Sequence, residues 1–201
     1  EAIQRAVTNG NSLVNAASGL VDVPQIASID WSVDGRAVGQ VASTNMVAYD
    51  SLANAAILAA AIGDTASAAQ YAAQAAALKA AINDNLWNPG LGAYDASTDR
   101  RGYVVQDANA WAIYYGVADA EQSARIVQTM ADTLSTDFGL RAAQEGVSGY
   151  PQIVSPFIGS FSLPANYLAN RPDLAMDQML ATWGYMANTD AGSTTWERIR
   201  L

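Results

Sequence analysis

Apolar residues recur at helical spacing along most of the chain, and no stretch alternates as a half-buried strand does. The first helix is predicted over residues 2–17, with Ile3, Val7, Leu13 and Val14 as apolar positions and Gly10 as a weak point. A turn-rich segment over 18–39 follows. Residues 41–62 and 65–86 form the strongest predicted pair, because Gly63-Asp64-Thr65 stops one helix and starts the next. Further helices are expected over 107–115, 120–134, 157–170 and 172–187. Asp107 and Asp119 are candidate N-caps, and Pro172 suits a first helical turn. Pro164 predicts a kink or break. Thr194-Thr195-Trp196-Glu197 reads as the start of one more helix.

The predicted class is therefore all-α, built from antiparallel helical hairpins. Short turns fall at one end of the helices. Long loops rich in Gly, Pro, Trp, Tyr, Asn and Asp fall at the other, where function sits on a rigid frame. Charged residues make up only 14% of the chain, against roughly 25% in typical domains. Abundant alanine and sparse charge predict helices covered on several sides by other helices.

Composition narrows the chemistry. The 201 residues carry a net charge of −9 with no His and no Cys. An acidic surface repels phosphate backbones and anionic lipid, so neither nucleic acid nor membrane is an expected partner. Thiolate catalysis, His-based triads and zinc sites built on His or Cys are absent. No oxygen-ligand spacing, phosphate-cradling loop or dinucleotide fingerprint is present, so no metal and no cofactor is expected. Carboxylates and neutral polar groups must carry any reaction. Locally, Glu197 fits a capping box with Thr194 as well as it fits catalysis. Asp30 and Trp31 read either as a turn acid beside a core anchor or as a sugar-binding pair, an indole face below a hydroxyl acceptor. Gln106, Asp107 and Asn109 lie at a helix entry on the long-loop side. Trp87, Trp111 and Trp183 read as packing residues, and Arg100 and Arg101 as exposed loop cations. Glu145 reads as a solvated loop glutamate.

Four segments together resemble the catalytic domain of α-L-rhamnosidases. They are Asp30-Trp31 followed by Asn45 and the helix ending at Gly63; Tyr71 to Trp87 with Gly92-x-Tyr94-Asp95; Gln106-x-x-Asn109; and Trp183-Gly184-Tyr185-Met186 with Gly192-Ser193-Thr194-Thr195-Trp196-Glu197. The resemblance runs from about Asp30 to the end of the chain.

It implies an α/α toroid of the six-hairpin glycosidase type, of which residues 1–201 supply about half as part of one catalytic domain. Upstream and downstream helices would complete the ring. It implies an inverting hydrolase, in which an acid protonates the leaving oxygen and a carboxylate about 6.5–9.5 Å away activates water. Glu197 matches the general base. Asp30, Trp31, Trp196, Gln106 and Asn109 are the expected substrate contacts. The family's general acid lies in an acidic loop before the Asp-Trp pair, and this chain has no such loop; the family's active-site His is missing too. The implied partners are a carbohydrate substrate and the remainder of the same enzyme chain, and family habit suggests secretion. Other toroid glycosidases, glucoamylase-like or uronyl hydrolases, share the frame, and a non-catalytic carbohydrate-binding scaffold is a third reading.

Overall fold

The computed structural model of the protein describes residues 2–23, 38–147, 152–190, 192 and 194–201. Three antiparallel helical hairpins organise it. The first joins α2 (Ala42–Ala61) to α3 (Thr65–Leu86), the second α4 (Gln106–Tyr114) to α5 (Ala120–Leu134), and the third α6 (Pro156–Leu168) to α7 (Pro172–Met179). A short α1 (Ala2–Asn11) precedes them.

The packing is two rows deep. Helix α4 touches both α2 and α6, while α3, α5 and α7 each back onto their own hairpin partner. Alanine and serine make this possible, because small side chains let helix axes approach closely. In α4 every residue from Gln106 to Ile113 is buried, as the low charge of the chain predicts. The core runs between the rows through Met46, Ile82, Leu86, Trp111, Ile126, Met130, Leu134 and Ile158, all essentially closed to solvent. Burying one such side chain stabilises the fold by about 1.5–3 kcal/mol relative to leaving it exposed.

Helix starts differ within the first two hairpins. At the short-turn end, Gly63 takes a φ of 80° and Asp64 accepts the Ser67 N–H at 3.0 Å. Asp119 and Gln122 form a full capping box ahead of α5. At the long-loop end, α2 and α4 start behind Val41 and Val105, which have no capping side chain. Loop carbonyls take over: Ala42 N–H donates to Ala96 and Gln106 N–H donates to Ala142, at 3.0 and 2.9 Å. Asp107 is therefore inside the first turn of α4, not its cap, and its carboxylate accepts the Ala108 N–H.

Several expectations change. Helix α1 stops at Asn11 rather than continuing to residue 17; a Val14–Val21 bridge closes the turn that follows. Helix α6 runs unbroken through Pro164, because the carbonyl that loses its donor belongs to Ser160 on the exposed side. Helix α7 passes through a π-turn at Leu180–Gly184 into α8 (Tyr185–Thr189). Within it, the Thr182 hydroxyl leaves the helix to donate to Phe138 O at 2.9 Å. Strands, not expected at all, appear as three two-residue pairs. These are β1 (Trp87–Asn88) with β2 (Ala93–Tyr94), β3 (Ser135–Thr136) with β4 (Gly139–Leu140), and β5 (Ile153–Val154) with β6 (Ile199–Arg200). The helix predicted from Thr194 is not formed: residues 194–198 are irregular, with a bend at Glu197, and lead into β6.

Candidate active site

The long-loop end is tied together by backbone pairing. Val105 bridges Ala143, Arg141 bridges Val154, and Val154 pairs with Ile199. Hydrogen bonds from Ala142 N–H to Ile153 O and from Leu201 N–H to Gln152 O continue the ladder. It joins the starts of α4 and α6 to the C-terminal segment. Two residues beyond the last ladder pair come Glu197 on one side and Pro156 on the other. Glu197 thus lies just outside the paired strand, with its side chain exposed.

Trp196 is half-buried. Its indole N–H donates to Asp190 Oδ2 at 2.9 Å, and its ring meets Tyr185 edge-on with centroids 5.8 Å apart. Asp190 also accepts the Gly192 N–H at 2.8 Å and the Thr194 hydroxyl at 2.5 Å. The Thr194 hydroxyl, then the Trp196 indole, holds the Asp190 carboxyl down at about 2. Nearby on the ladder, Arg141 donates to Gln152 Oε1 at 3.1 Å and lies 3.6 Å from Glu145, so that loop glutamate has an ion-pair partner.

Gln106 and Asn109 are held by hydrogen bonds inside the core. Both are closed to solvent. Asn109 donates to Tyr94 O and Val105 O and accepts the Tyr94 N–H at 2.8 Å, which locks β2 onto α4. Gln106 donates to Ser162 Oγ at 2.9 Å, and Ser162 in turn bonds Gln178, so a buried polar relay crosses α4, α6 and α7. Both side chains belong to an inner helix buried on every side, which a helix-entry position alone does not reveal. Asp30 and Trp31 lie outside the described residues.

Arg101 is not a bystander. It pairs at 3.2 Å with Asp95, a carboxylate only 1% exposed, which also accepts the Gly102 N–H at 2.7 Å and an Asn88 N–H at 3.0 Å. Asp95 therefore fixes the loop between α3 and α4. Asp95 and Asp190 had no role assigned from sequence. An Asp two residues before Gly192 is a turn signal that could have flagged Asp190. Trp111 packs as expected, against Tyr115 and Phe161. Trp87 carries Arg125 over its ring at 5.7 Å. Trp183 presses on Gly159, where a Cβ would come within 3.0 Å of the indole.

Two cavities lie elsewhere. A groove of about 880 Å³ between α1, α2 and α3 is walled by Val7, Leu13, Val47, Leu52 and Leu58 and has no carboxylate in its lining. A pocket of about 140 Å³ sits between α5 and α7. Neither is lined by Glu197 or Trp196. Among the described residues no group of three carboxylates gathers as a metal-ligand set, and no helix is long and apolar enough to cross a membrane.

Hairpins with short turns on one face and laddered loops on the other define part of an α/α toroid of the glycosidase type. Residues 24–151 match the mannosylglycerate hydrolase MGH1-like glycoside hydrolase domain, and the chain belongs to that family. It is similar to a GH78-family rhamnosidase of Bacillus sp. GL1, with 28% identity and a TM-score of 0.74 over 98% of this chain and 20% of that one. It is also similar to a rhamnosidase from Klebsiella oxytoca with rhamnose bound, at 22% identity and a TM-score of 0.73 over 98% of this chain and 34% of that one. Neutral trehalase Nth1 of Saccharomyces cerevisiae shares the fold at 15% identity, with a TM-score of 0.67 over 80% of this chain and 34% of that one. No curated protein matches the chain. The chain spans about a third or less of the length of these solved structures.

Proposed function

We propose that the protein is part of an inverting glycosidase that releases terminal α-L-rhamnose, with Glu197 as the general base. The observation that carries the reading is the place of Glu197. It is an exposed carboxylate two residues before the strand that ties the C-terminal segment to the ladder, at the end where the long loops meet. Likeness to two rhamnosidases along 98% of the chain supports the substrate class. A base in this position takes a proton from water as the water attacks the anomeric carbon. The C–O bond to the aglycone breaks, and a second acid supplies the leaving oxygen with a proton. That acid belongs to the rest of the enzyme in this reading. Trp196, next in the chain, offers the part of its indole not packed on Tyr185 as a wall for the sugar's C–H face, and Asp30 with Trp31 completes the contact.

A second reading follows from the family match itself: cleavage of a small glycoside such as mannosylglycerate. The test is a panel on the complete enzyme of 4-nitrophenyl α-L-rhamnoside, mannosylglycerate, trehalose and an aryl glucuronide, with the first-formed anomer followed by NMR. The proposal expects turnover of the rhamnoside with β-L-rhamnose formed first. It expects Glu197→Gln to lower kcat by at least about 1,000-fold, since a base and its bound water are lost together. Near-normal turnover by that variant would remove Glu197 from the mechanism. Cleavage of mannosylglycerate alone would select the second reading.

A further inference from the structure

Glu197 is reached from a loop and followed by a two-residue strand, neither of which is rigid by itself. A general base must nevertheless be held to within a fraction of an ångström of its working geometry. Anchors occur on both sides. On the C-terminal side, Ile199–Arg200 pairs with Ile153–Val154, and Leu201 N–H reaches Gln152 O at 3.2 Å. On the N-terminal side, one carboxylate does the holding. Asp190 ends α8, and its two oxygens collect the Gly192 N–H at 2.8 Å, the Thr194 hydroxyl at 2.5 Å and the Trp196 indole N–H at 2.9 Å. The Trp196 backbone N–H meets Met186 Sδ at 3.2 Å, which fastens the same residue to α8 a second time.

We propose that Asp190 is a positioning residue for Glu197: its carboxylate gathers Gly192, Thr194 and Trp196 into one turn, and so fixes where Glu197 leaves the loop. The proposal rests on the reading of Glu197 as the base. Asp190 does not touch the sugar or the attacking water. It acts through Trp196, the residue before the base. Only an ionised carboxylate serves three donors at once, because a neutral amide in its place has one acceptor oxygen and presents donors of its own. The hydrogen bonds from Thr194, Trp196 and Gly192 lower the titration of Asp190 and so favour its ionised form.

The test uses the complete enzyme on 4-nitrophenyl α-L-rhamnoside, with kcat, KM and the thermal midpoint measured for D190N, T194V, the double variant and E197Q. D190N is expected to lose about 100-fold in kcat with KM within about twofold, the size of effect that a small displacement of a reacting group produces. T194V removes one donor from an exposed position and is expected to lose about three- to tenfold in kcat. The double variant should be no slower than D190N, because both changes break one turn. A merely structural turn gives another result: lower thermal midpoints with kcat intact, or losses that multiply in the double variant. Either outcome overturns the proposal. If D190N does not fold, T194V decides alone, and an unchanged kcat counts against Asp190. If E197Q is inactive while D190N and T194V keep kcat, only the role of Asp190 fails. If E197Q keeps kcat, the assignment of the base fails and Asp190 loses its role with it.

Discussion

Helices α4 and α5 belong to one hairpin and obey different rules. Helix α4 is buried on every side from Gln106 to Ile113, and its start has no capping side chain. Helix α5 buries one stripe, Ser123, Ile126, Val127, Met130 and Leu134, and opens with a complete capping box. The outer helix carries its boundaries in its own sequence. The inner helix borrows them: the Gln106 N–H, orphaned by the missing cap, goes to the carbonyl of Ala142 in the long loop that leads from α5 to the next hairpin. That borrowing couples the long loops to α2 and α4 at the end where the candidate site lies. Loops there are held by helix termini that need them.

The comparison breaks most directly at Trp111. It is 1% exposed in the inner helix and packs against Tyr115 and Phe161, whose ring centroids lie 6.3 and 5.4 Å away. Trp111→Ala is expected to cost about 3–5 kcal/mol, because neighbours on all sides cannot collapse into the space. Chemical denaturation measures this. A loss below about 1 kcal/mol would mean that α4 is not enclosed as described. The outer start gives a smaller effect. Asp119→Ala removes the acceptor for the Gln122 N–H and is expected to cost about 1 kcal/mol by the same measurement. A loss as large as that of Trp111→Ala would erase the distinction between the two helices.

The same distinction explains what could be seen in the chain beforehand. The bounds of α3 and α5 agree with the predicted 65–86 and 120–134, because Gly63-Asp64 and Asp119 act within a few residues of the helices they punctuate. The antiparallel hairpins followed from those turns, whereas the half-toroid was what the resemblance implied. The C-terminal segment misled, since Thr194 and Glu197 have the spacing of a capping box. What decides its conformation is pairing of Ile199–Arg200 with Ile153–Val154, far upstream, and no local signal reports that. The candidate site divides likewise. Trp196, Glu197, Gln106 and Asn109 were all singled out by resemblance, and the burial of Gln106 and Asn109 inside α4 has no local signal in the chain. Asp95 and Asp190 went unassigned because each gathers its donors only after a loop has folded around it.

The finest test of the two rows is their response to acid. Ser67 donates to Asp64 through its backbone N–H and its hydroxyl, and these bonds hold the Asp64 carboxyl below its ordinary 3.8. The unfolded chain takes up that proton more readily than the folded one. The contribution of the cap is therefore complete above the unfolded pKa and is lost as pH falls through the lower folded value. Helix α2 starts behind Val41 with no acidic residue in its first turn, so it has no such dependence. Native-state hydrogen exchange, corrected for intrinsic rates, should show protection at the first turn of α3 declining as pH drops below about 4. Protection at the first turn of α2 should stay level over the same range. Equal decline in both would mean that acid acts on the whole fold at once and that the outer start owes nothing special to its carboxylate.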